Sequence, residues 1–146
     1  MKFHPPNKLF SEFYRKFLYR FIGGKVLLLT TTGRKSGRLH SIGLQYELIE
    51  GRYYVGAADG ENADWVKNLR KTPAAEIRVG AAVLPVMAEI VSDIGKITDF
   101  LEYRVRKHPL MIPLIMRLGG FKGRFTREAL QSYASRLRLV ILDPLA

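Results

Sequence analysis

The sequence predicts an α+β fold in which antiparallel strands form a sheet or barrel and helices flank it. Short apolar runs are joined by turns that contain Gly, which is the pattern of β-hairpins. Helical periodicity is confined to segments before, between and after these hairpins. Strands that follow one another with the helices set aside favour this class over a doubly wound parallel sheet. Neither GxGxxG nor a Walker sequence occurs, so the two best-known phosphate loops are absent.

Length and composition favour a single domain over residues 1–146. A chain of 146 residues with 47% apolar and 11% aromatic residues can build one packed core. Cysteine is absent, which excludes a disulfide framework and any Cys-based metal site or nucleophile. The first residues lack the features of a signal peptide, and no apolar run is long enough to span a bilayer. We therefore expect a cytoplasmic protein that is at most peripheral to the membrane.

The charge balance is strongly basic, with 24 Lys and Arg against 13 Asp and Glu, which gives a net charge of +11. Such a surface favours an anionic partner, such as nucleic acid, acidic lipid or a phosphorylated small molecule. The basic residues are spread over many predicted elements, and no recognised nucleic-acid motif occurs. We therefore expect no nucleic-acid partner.

The first half of the chain predicts a helix followed by strands. Apolar residues recur every three or four positions over about residues 7–22, which predicts an amphipathic N-terminal helix with interleaved cations. A β-rich run, Lys25–Thr32, ends in a Gly-containing turn. Two further strands, Leu39–Ile49 and Tyr53–Ala58, are joined by a tight turn at Glu50-Gly51-Arg52.

The second half predicts a short helix, a hairpin, a helical part and a last strand. A polar loop leads to a helix at Trp65–Lys71, which ends before Thr72-Pro73. The helical part covers about residues 93–136, with Asp93 and Thr126 as N-caps. The remaining predicted elements are the hairpin strands Ala75–Val79 and Val83–Val91, the apolar stretch Leu110–Leu118 and the closing strand Leu137–Leu142.

The turn after the first predicted strand concentrates groups that bind anions. Its sequence from position 30 is TTTGRKSGR, with three cations, two glycines and several hydroxyls. Glycines allow successive backbone N–H groups to converge on an anion, and Arg and Lys add charged donors. The alternative is an ordinary polar hairpin turn, because Gly and Ser are common in turns.

Several motifs in register resemble the deazaflavin (coenzyme F-420)-dependent nitroreductase family. They are the TTTGRKSGR turn, the loop Ala57-Ala58-Asp59-Gly60, the segment DWVKNL from position 64, and Thr72-Pro73. The resemblance covers roughly residues 8–91 in order and spacing. It implies an antiparallel split β-barrel of the FMN-binding type with flanking helices.

The resemblance also implies a cofactor site for coenzyme F-420, with FMN as the alternative cofactor. The GRKSG turn would meet the phosphate and acidic tail of the cofactor, and the second loop and the W-x-x-N-L helix would close the far side. His40 could bind phosphate when charged or be merely a surface polar residue, and Trp65 could instead anchor its helix in the core. The residues that the resemblance assigns to cofactor binding are Thr32, Gly33, Arg34, Lys35, Ser36, Gly37, Arg38, His40, Ala57, Ala58, Trp65 and Asn68.

The implied activity is hydride transfer from reduced cofactor to a quinone, a nitroaromatic or an activated alkene. No catalytic residue and no metal site are assigned, and a Tyr donor would be one of Tyr46, Tyr54, Tyr103 and Tyr133. The second loop is shortened to Asp59-Gly60-Glu61, which motivates the alternative of a non-catalytic flavin-, deazaflavin- or lipid-binding protein. Analogy with split barrels predicts a homodimer, and the basic amphipathic segments allow peripheral membrane contact or a pocket for an apolar substrate.

Overall fold

The computed structural model describes residues 25–145. The amphipathic helix predicted over about residues 7–22 lies outside the described residues. Within them, the predicted α+β class with antiparallel strands is confirmed.

Seven strands form one sheet in which every neighbouring pair is antiparallel. Their order across the sheet is β2-β1-β5-β6-β7-β4-β3. The strands are β1 Val26–Thr32, β2 Leu39–Gln45, β3 Glu47–Ile49, β4 Arg52–Ala57, β5 Ala74–Val79, β6 Ala82–Val91 and β7 Arg138–Pro144.

The strand predicted over residues 39–49 is in fact two strands, and this division curls the sheet. The chain pairs with β1 up to Gln45 and with β4 from Glu47 onward, so only Tyr46 separates β2 from β3. These two strands stand at opposite ends of the strand order. Because one residue connects them, the two edge strands of the sheet, β2 and β3, must lie close together at this point. The sheet therefore curls into a half-barrel.

The turn between β3 and β4 has the backbone that its sequence predicts. Glu50 has φ of 52° and Gly51 has φ of 80°, so both central residues are left-handed. Two left-handed residues form the type of tight turn whose twist suits an antiparallel hairpin. The predicted hairpin is therefore confirmed.

Four helices accompany the sheet in the described part of the chain, and both predicted N-caps are confirmed. Asp93 accepts a hydrogen bond from the N–H of Lys96 at 3.0 Å, and Thr126 accepts one from Ala129 at 3.1 Å. Within residues 25–145 no helix has the length and apolar character needed to cross a membrane. The helices are α1 Asp64–Lys71, α2 Ile94–Lys107, α3 Met111–Leu118 and α4 Arg127–Ala134.

Two hydrophobic clusters lie on opposite faces of the sheet. The α1 cluster joins Val66 and Leu69 of α1 to buried residues of β1, β4, β5, β6 and β7. The three-helix cluster joins buried residues of α2, α3 and α4 to β6 and β7. Alternate residues of β7 serve the two clusters, because successive side chains of a strand point to opposite faces. The α1 cluster contains Val140 and Leu142 of β7, and the three-helix cluster contains Leu139 and Ile141.

Candidate functional site

The turn between β1 and β2 is closed by its own backbone. The N–H of Gly33 donates to the carbonyl of Arg38 at 2.7 Å, and the N–H of Gly37 donates to the carbonyl of Gly33 at 3.0 Å. Gly37 has φ of 75°, a left-handed conformation that favours glycine. Ser36 Oγ accepts from the N–H of Arg38 at 3.1 Å. The two glycines of the motif therefore fix the shape of this turn.

His40 lies directly against the first glycine of the turn. A Cβ atom at Gly33 would lie 2.8 Å from His40 Nε2 and 3.0 Å from the carbonyl oxygen of Arg38. A side chain there would displace the imidazole ring or the backbone. The structure thus brings His40 to the turn, as expected if it takes part in the same site.

Asn68 of α1 is the centre of a hydrogen-bond network that holds the turn. Its side chain is buried, and its Oδ1 accepts from Arg34 Nη1 at 2.9 Å and from the backbone N–H of Arg34 at 3.2 Å. Its Nδ2 donates to Oγ1 of Thr31, which is also buried, at 3.1 Å. A single amide therefore ties the end of β1 and the start of the turn to α1.

Arg34 is held at further points on α1. Its Nη2 lies 3.2 Å from Asp64 Oδ1, and Lys71 Nζ donates to the carbonyl of Arg34 at 3.0 Å. Asp64 and Asn68 are four residues apart, so they share one face of the helix. Thr31, Asp64 and Lys71 were not among the predicted site residues, although this spacing is a signal that could have suggested Asp64.

Unlike Arg34, Lys35 and Arg38 form no ion pair with the described residues. Both are exposed, and neither pairs with a carboxylate of residues 25–145. The backbone N–H groups of Lys35 and Ser36 also have no hydrogen-bond acceptor among those residues. Two cations and two N–H groups without partners among the described residues have the chemistry that a phosphate or carboxylate requires.

The second predicted loop leads from β4 into α1. Ala57 is buried in the α1 cluster, whereas Ala58 is exposed. An open cavity of about 440 Å³ lies beside this loop, lined by Ala58, Asp59, Glu61, Asn62, Ser135, Arg136 and Arg138. Of the two predicted alanines, therefore, only Ala58 contributes to this open surface.

Glu61 of this loop is neutralised by two arginines. Arg70 Nε donates to Glu61 Oε1 at 2.9 Å, and Arg138 Nε donates to Oε2 at 2.9 Å. The hydrogen bond from Arg70, together with that from Arg138, outweighs desolvation and lowers the pKa of Glu61 to about 2. The shortened loop therefore does not present Glu61 as an isolated negative charge.

Trp65 is half-buried and packs against the α1 cluster. Of the four tyrosines named above, Tyr46 packs with this same cluster, 5.3 Å from the ring of Tyr53. Tyr54 and Tyr133 pack with the three-helix cluster on the other face of the sheet. Of these three tyrosines, only Tyr46 therefore packs with the same cluster as Trp65.

Comparison with protein families identifies the chain. The model of the family described as F420H(2)-dependent quinone reductase matches residues 8–109, which include the β1–β2 turn, the second loop and α1. The chain belongs to this family. It is therefore a deazaflavin-dependent oxidoreductase, and its cofactor is coenzyme F-420, as the resemblance implied.

Solved structures show the same fold as this member of the family. A structure described as an F420-H2-dependent reductase has 22% identity and a TM-score of 0.56, and the match covers 82% of this chain and 94% of that one. A domain-swapped dimer has 19% identity and a TM-score of 0.56, with 96% and 100% covered. General Stress Protein 26 from Bacillus anthracis has 12% identity and a TM-score of 0.54, with 90% and 88% covered. These likenesses confirm the predicted split barrel. No curated protein matches the chain.

The donor set of the β1–β2 turn fits the anionic part of a deazaflavin cofactor. Such a cofactor needs several donors for its phosphate and acidic tail, and the turn offers Lys35, Arg38 and free backbone N–H groups. The contacts of Asn68 and Arg34 hold the backbone of the turn, and with it these N–H groups, whereas the side chains of Lys35 and Arg38 are exposed. Preorganised donors lose little conformational freedom on binding, which favours affinity.

Proposed function

We propose that this chain transfers a hydride from reduced coenzyme F-420 to a quinone and grips the cofactor tail with the β1–β2 turn. The proposal rests on two exposed cations, Lys35 and Arg38, which have no carboxylate partner within residues 25–145 and lie on a turn that Asn68 fixes to α1. Bound deazaflavin would supply the hydride. The protein would supply binding, orientation and a defined place for the acceptor.

We propose that some residues of the site bind the cofactor tail and that others form the walls of the site. Lys35, Arg38 and the N–H groups of the turn bind the tail, and the imidazole of His40 adds a donor. Arg34 holds the turn through Asp64 and Asn68 and so serves the site through position. The exposed Ala58 and the half-buried Trp65 bound the rest of the site.

Substitution of Lys35 tests the tail-gripping role. We expect Lys35→Ala to weaken coenzyme F-420 binding about tenfold or more, because one charge-assisted hydrogen bond to an anion is lost. Lys96→Ala is the matched control, since Lys96 is exposed at the start of α2 and forms no ion pair with the described residues. Equal affinities of the two variants, measured by cofactor fluorescence, would contradict this role.

The proposed acceptor is a quinone, as the family description suggests, with nitroaromatics and activated alkenes as further acceptors. Oxidation of the reduced cofactor can be followed with a short-chain quinone and with a nitroaromatic in parallel. We expect faster turnover with the quinone. Tight cofactor binding without turnover on any acceptor would instead support a non-catalytic binding protein, and tight FMN binding would support the alternative cofactor.

We also propose that the protein is a homodimer. A solved structure of the same fold is a domain-swapped dimer that matches 96% of this chain. Light scattering of the purified protein tests this, because a dimer has twice the mass of the 16.6 kDa chain.

A further inference from the structure

Helix α3 exposes a row of leucines that no described residue covers. Leu110, Leu114 and Leu118 are 86%, 54% and 72% exposed, and their spacing of four places them on one side of the helix. The opposite side of α3 is buried through Met111, Ile112 and Met116. We call these three leucines the leucine row. A contiguous exposed apolar row of this kind marks a contact surface, whereas single exposed apolar residues are common on any protein surface.

The segment around the leucine row is basic without interruption. Residues 103–127 contain no Asp or Glu, and they contain seven cations: Arg104, Arg106, Lys107, Arg117, Lys122, Arg124 and Arg127. Arg104 and Lys107 are paired with Glu47, and Arg127 is paired with Asp99 and Glu102.

Four cations of this segment have no carboxylate partner in the described part of the chain. Arg117 lies on α3 itself, with its guanidinium 4.6 Å from the centre of the Phe125 ring. Arg106 precedes the leucine row in the chain, and Lys122 and Arg124 follow it closely; all three are exposed. An apolar row that is flanked in the chain by cations without a carboxylate partner among the described residues is complementary to a surface that is apolar inside and negative outside.

We propose that the leucine row and its four free cations dock on an anionic lipid surface. The leucines enter the boundary of the acyl chains, and Arg106, Arg117, Lys122 and Arg124 meet the lipid phosphates. This is the mode of a peripheral interfacial helix. It places no part of the chain across the bilayer, and it does not rest on the proposed quinone activity.

Charge argues against the N-terminal segment as the occupant of this surface. Residues 1–24 contain five cations, Lys2, Lys8, Arg15, Lys16 and Arg20, and one acid, Glu12. Two segments of the same net charge repel each other, whereas anionic lipid attracts both. The same argument disfavours a second copy of the same basic face.

Vesicle binding of the full chain, measured without cofactor, tests the proposal. We expect the protein to float with vesicles that contain phosphatidylglycerol and much less with vesicles of phosphatidylcholine alone. The double variant Leu114→Glu with Leu118→Glu should bind at least about tenfold more weakly, because two apolar side chains are lost from the contact and two negative charges are added. Leu145→Glu is the matched control, since Leu145 is 48% exposed at the end of β7 and should bind as the wild type does.

A charge variant and an N-terminal variant complete the test. Lys122→Gln with Arg124→Gln should also weaken binding, by about fivefold for each cation, and added salt should reduce this difference. The proposal is overturned if the wild type ignores anionic vesicles or if the double Leu variant binds like the wild type. It is equally overturned if Phe13→Glu with Phe17→Glu abolishes binding while the Leu variant retains it, which would make the N-terminal segment the anchor.

Two controls separate this result from the proposed function and from misfolding. Coenzyme F-420 affinity and far-ultraviolet circular dichroism should be unchanged in the double Leu variant, because both leucines are exposed and lie apart from the β1–β2 turn in the chain. A change in mass by light scattering that accompanies the Leu substitutions would identify a second copy as the occupant and would contradict lipid docking.

Discussion

At the scale of single residues, Asn68 is the side chain on which the geometry of the site depends. Its amide nitrogen donates a hydrogen bond to Thr31, and its amide oxygen accepts two from Arg34. Both partners lie at the β1–β2 turn or at the end of β1 that leads into it. The resemblance carried by the W-x-x-N-L motif predicts that Asn68 lies near the cofactor. Its contacts show a second role that the motif alone could not give, because Thr31 lies 37 positions earlier in the chain.

Replacement of Asn68 should affect both stability and cofactor affinity. We expect Asn68→Ala to reduce the free energy of unfolding by about 2 kcal/mol, since buried Thr31 loses its donor and Arg34 its acceptor. Cofactor affinity should also fall, because the β1–β2 turn loses its attachment to α1. Gln131→Ala is the control, as Gln131 is exposed on α4 and its side chain forms no hydrogen bond with the described residues. Urea unfolding and cofactor titration measure the two effects. Unchanged cofactor affinity in Asn68→Ala would show that the amide is only a structural contact.

At the scale of elements, β3 and α2 are joined by a buried carboxylate. The side chain of Glu47 is 4% exposed and lies 3.1 Å from Arg104 Nε, 3.2 Å from Lys107 Nζ and 2.9 Å from His108 Nε2. Burial alone would raise the pKa of Glu47, but Arg104, Lys107 and His108 outweigh it and hold the pKa below its ordinary value. Short strand β3 is thereby attached to the helices.

Neutralisation of Glu47 should destabilise the protein near neutral pH. We expect Glu47→Gln to cost about 3 kcal/mol, because it leaves the partly buried Arg104 without a counter-charge. Since the pKa of Glu47 is lowered by folding, its contribution is present above the ordinary value of 4.5 and is lost as the pH falls below it. The difference between variant and wild type in urea unfolding should therefore shrink from about pH 7 to about pH 3.

The matched control for that experiment is Glu76→Gln. Glu76 is exposed on β5 and forms no ion pair with the described residues, so its substitution should have little effect at either pH. A penalty for Glu47→Gln that stays constant with pH would contradict the assigned role of the carboxylate charge.

Short-range sequence patterns predicted most helices, strands and turns. Features that depend on residues far apart in the chain, such as the break between β2 and β3, could not be predicted. The caps at Asp93 and Thr126 and the left-handed turn at Glu50-Gly51 follow from residues within a few positions. The break at Tyr46 arises because β2 and β3 pair with different strands, which no local pattern records. The paired state of Glu61 likewise depends on Arg138, 77 positions away.

At the scale of the whole molecule, β7 links the two hydrophobic clusters. Leu139 and Ile141 serve the three-helix cluster, and Val140 and Leu142 serve the α1 cluster. Neither cluster is complete without this strand. That residues 1–146 fold as one domain stays a prediction, and the shared strand supports it.

A single domain should unfold in one step. We expect urea unfolding followed by Trp65 fluorescence, which reports on the α1 cluster, to coincide with unfolding followed by circular dichroism, which reports largely on the helices. Two separate transitions would show that the α1 cluster and the three-helix cluster belong to independently folding units.

Titration of the protein with coenzyme F-420 and, separately, with FMN tests directly whether the protein binds the deazaflavin. Trp65 is the only Trp of the chain, so quenching of its fluorescence reports on one position beside the proposed site. We expect binding of coenzyme F-420 in about the micromolar range and much weaker binding of FMN. Binding of FMN in preference to the deazaflavin, or of neither, would contradict it.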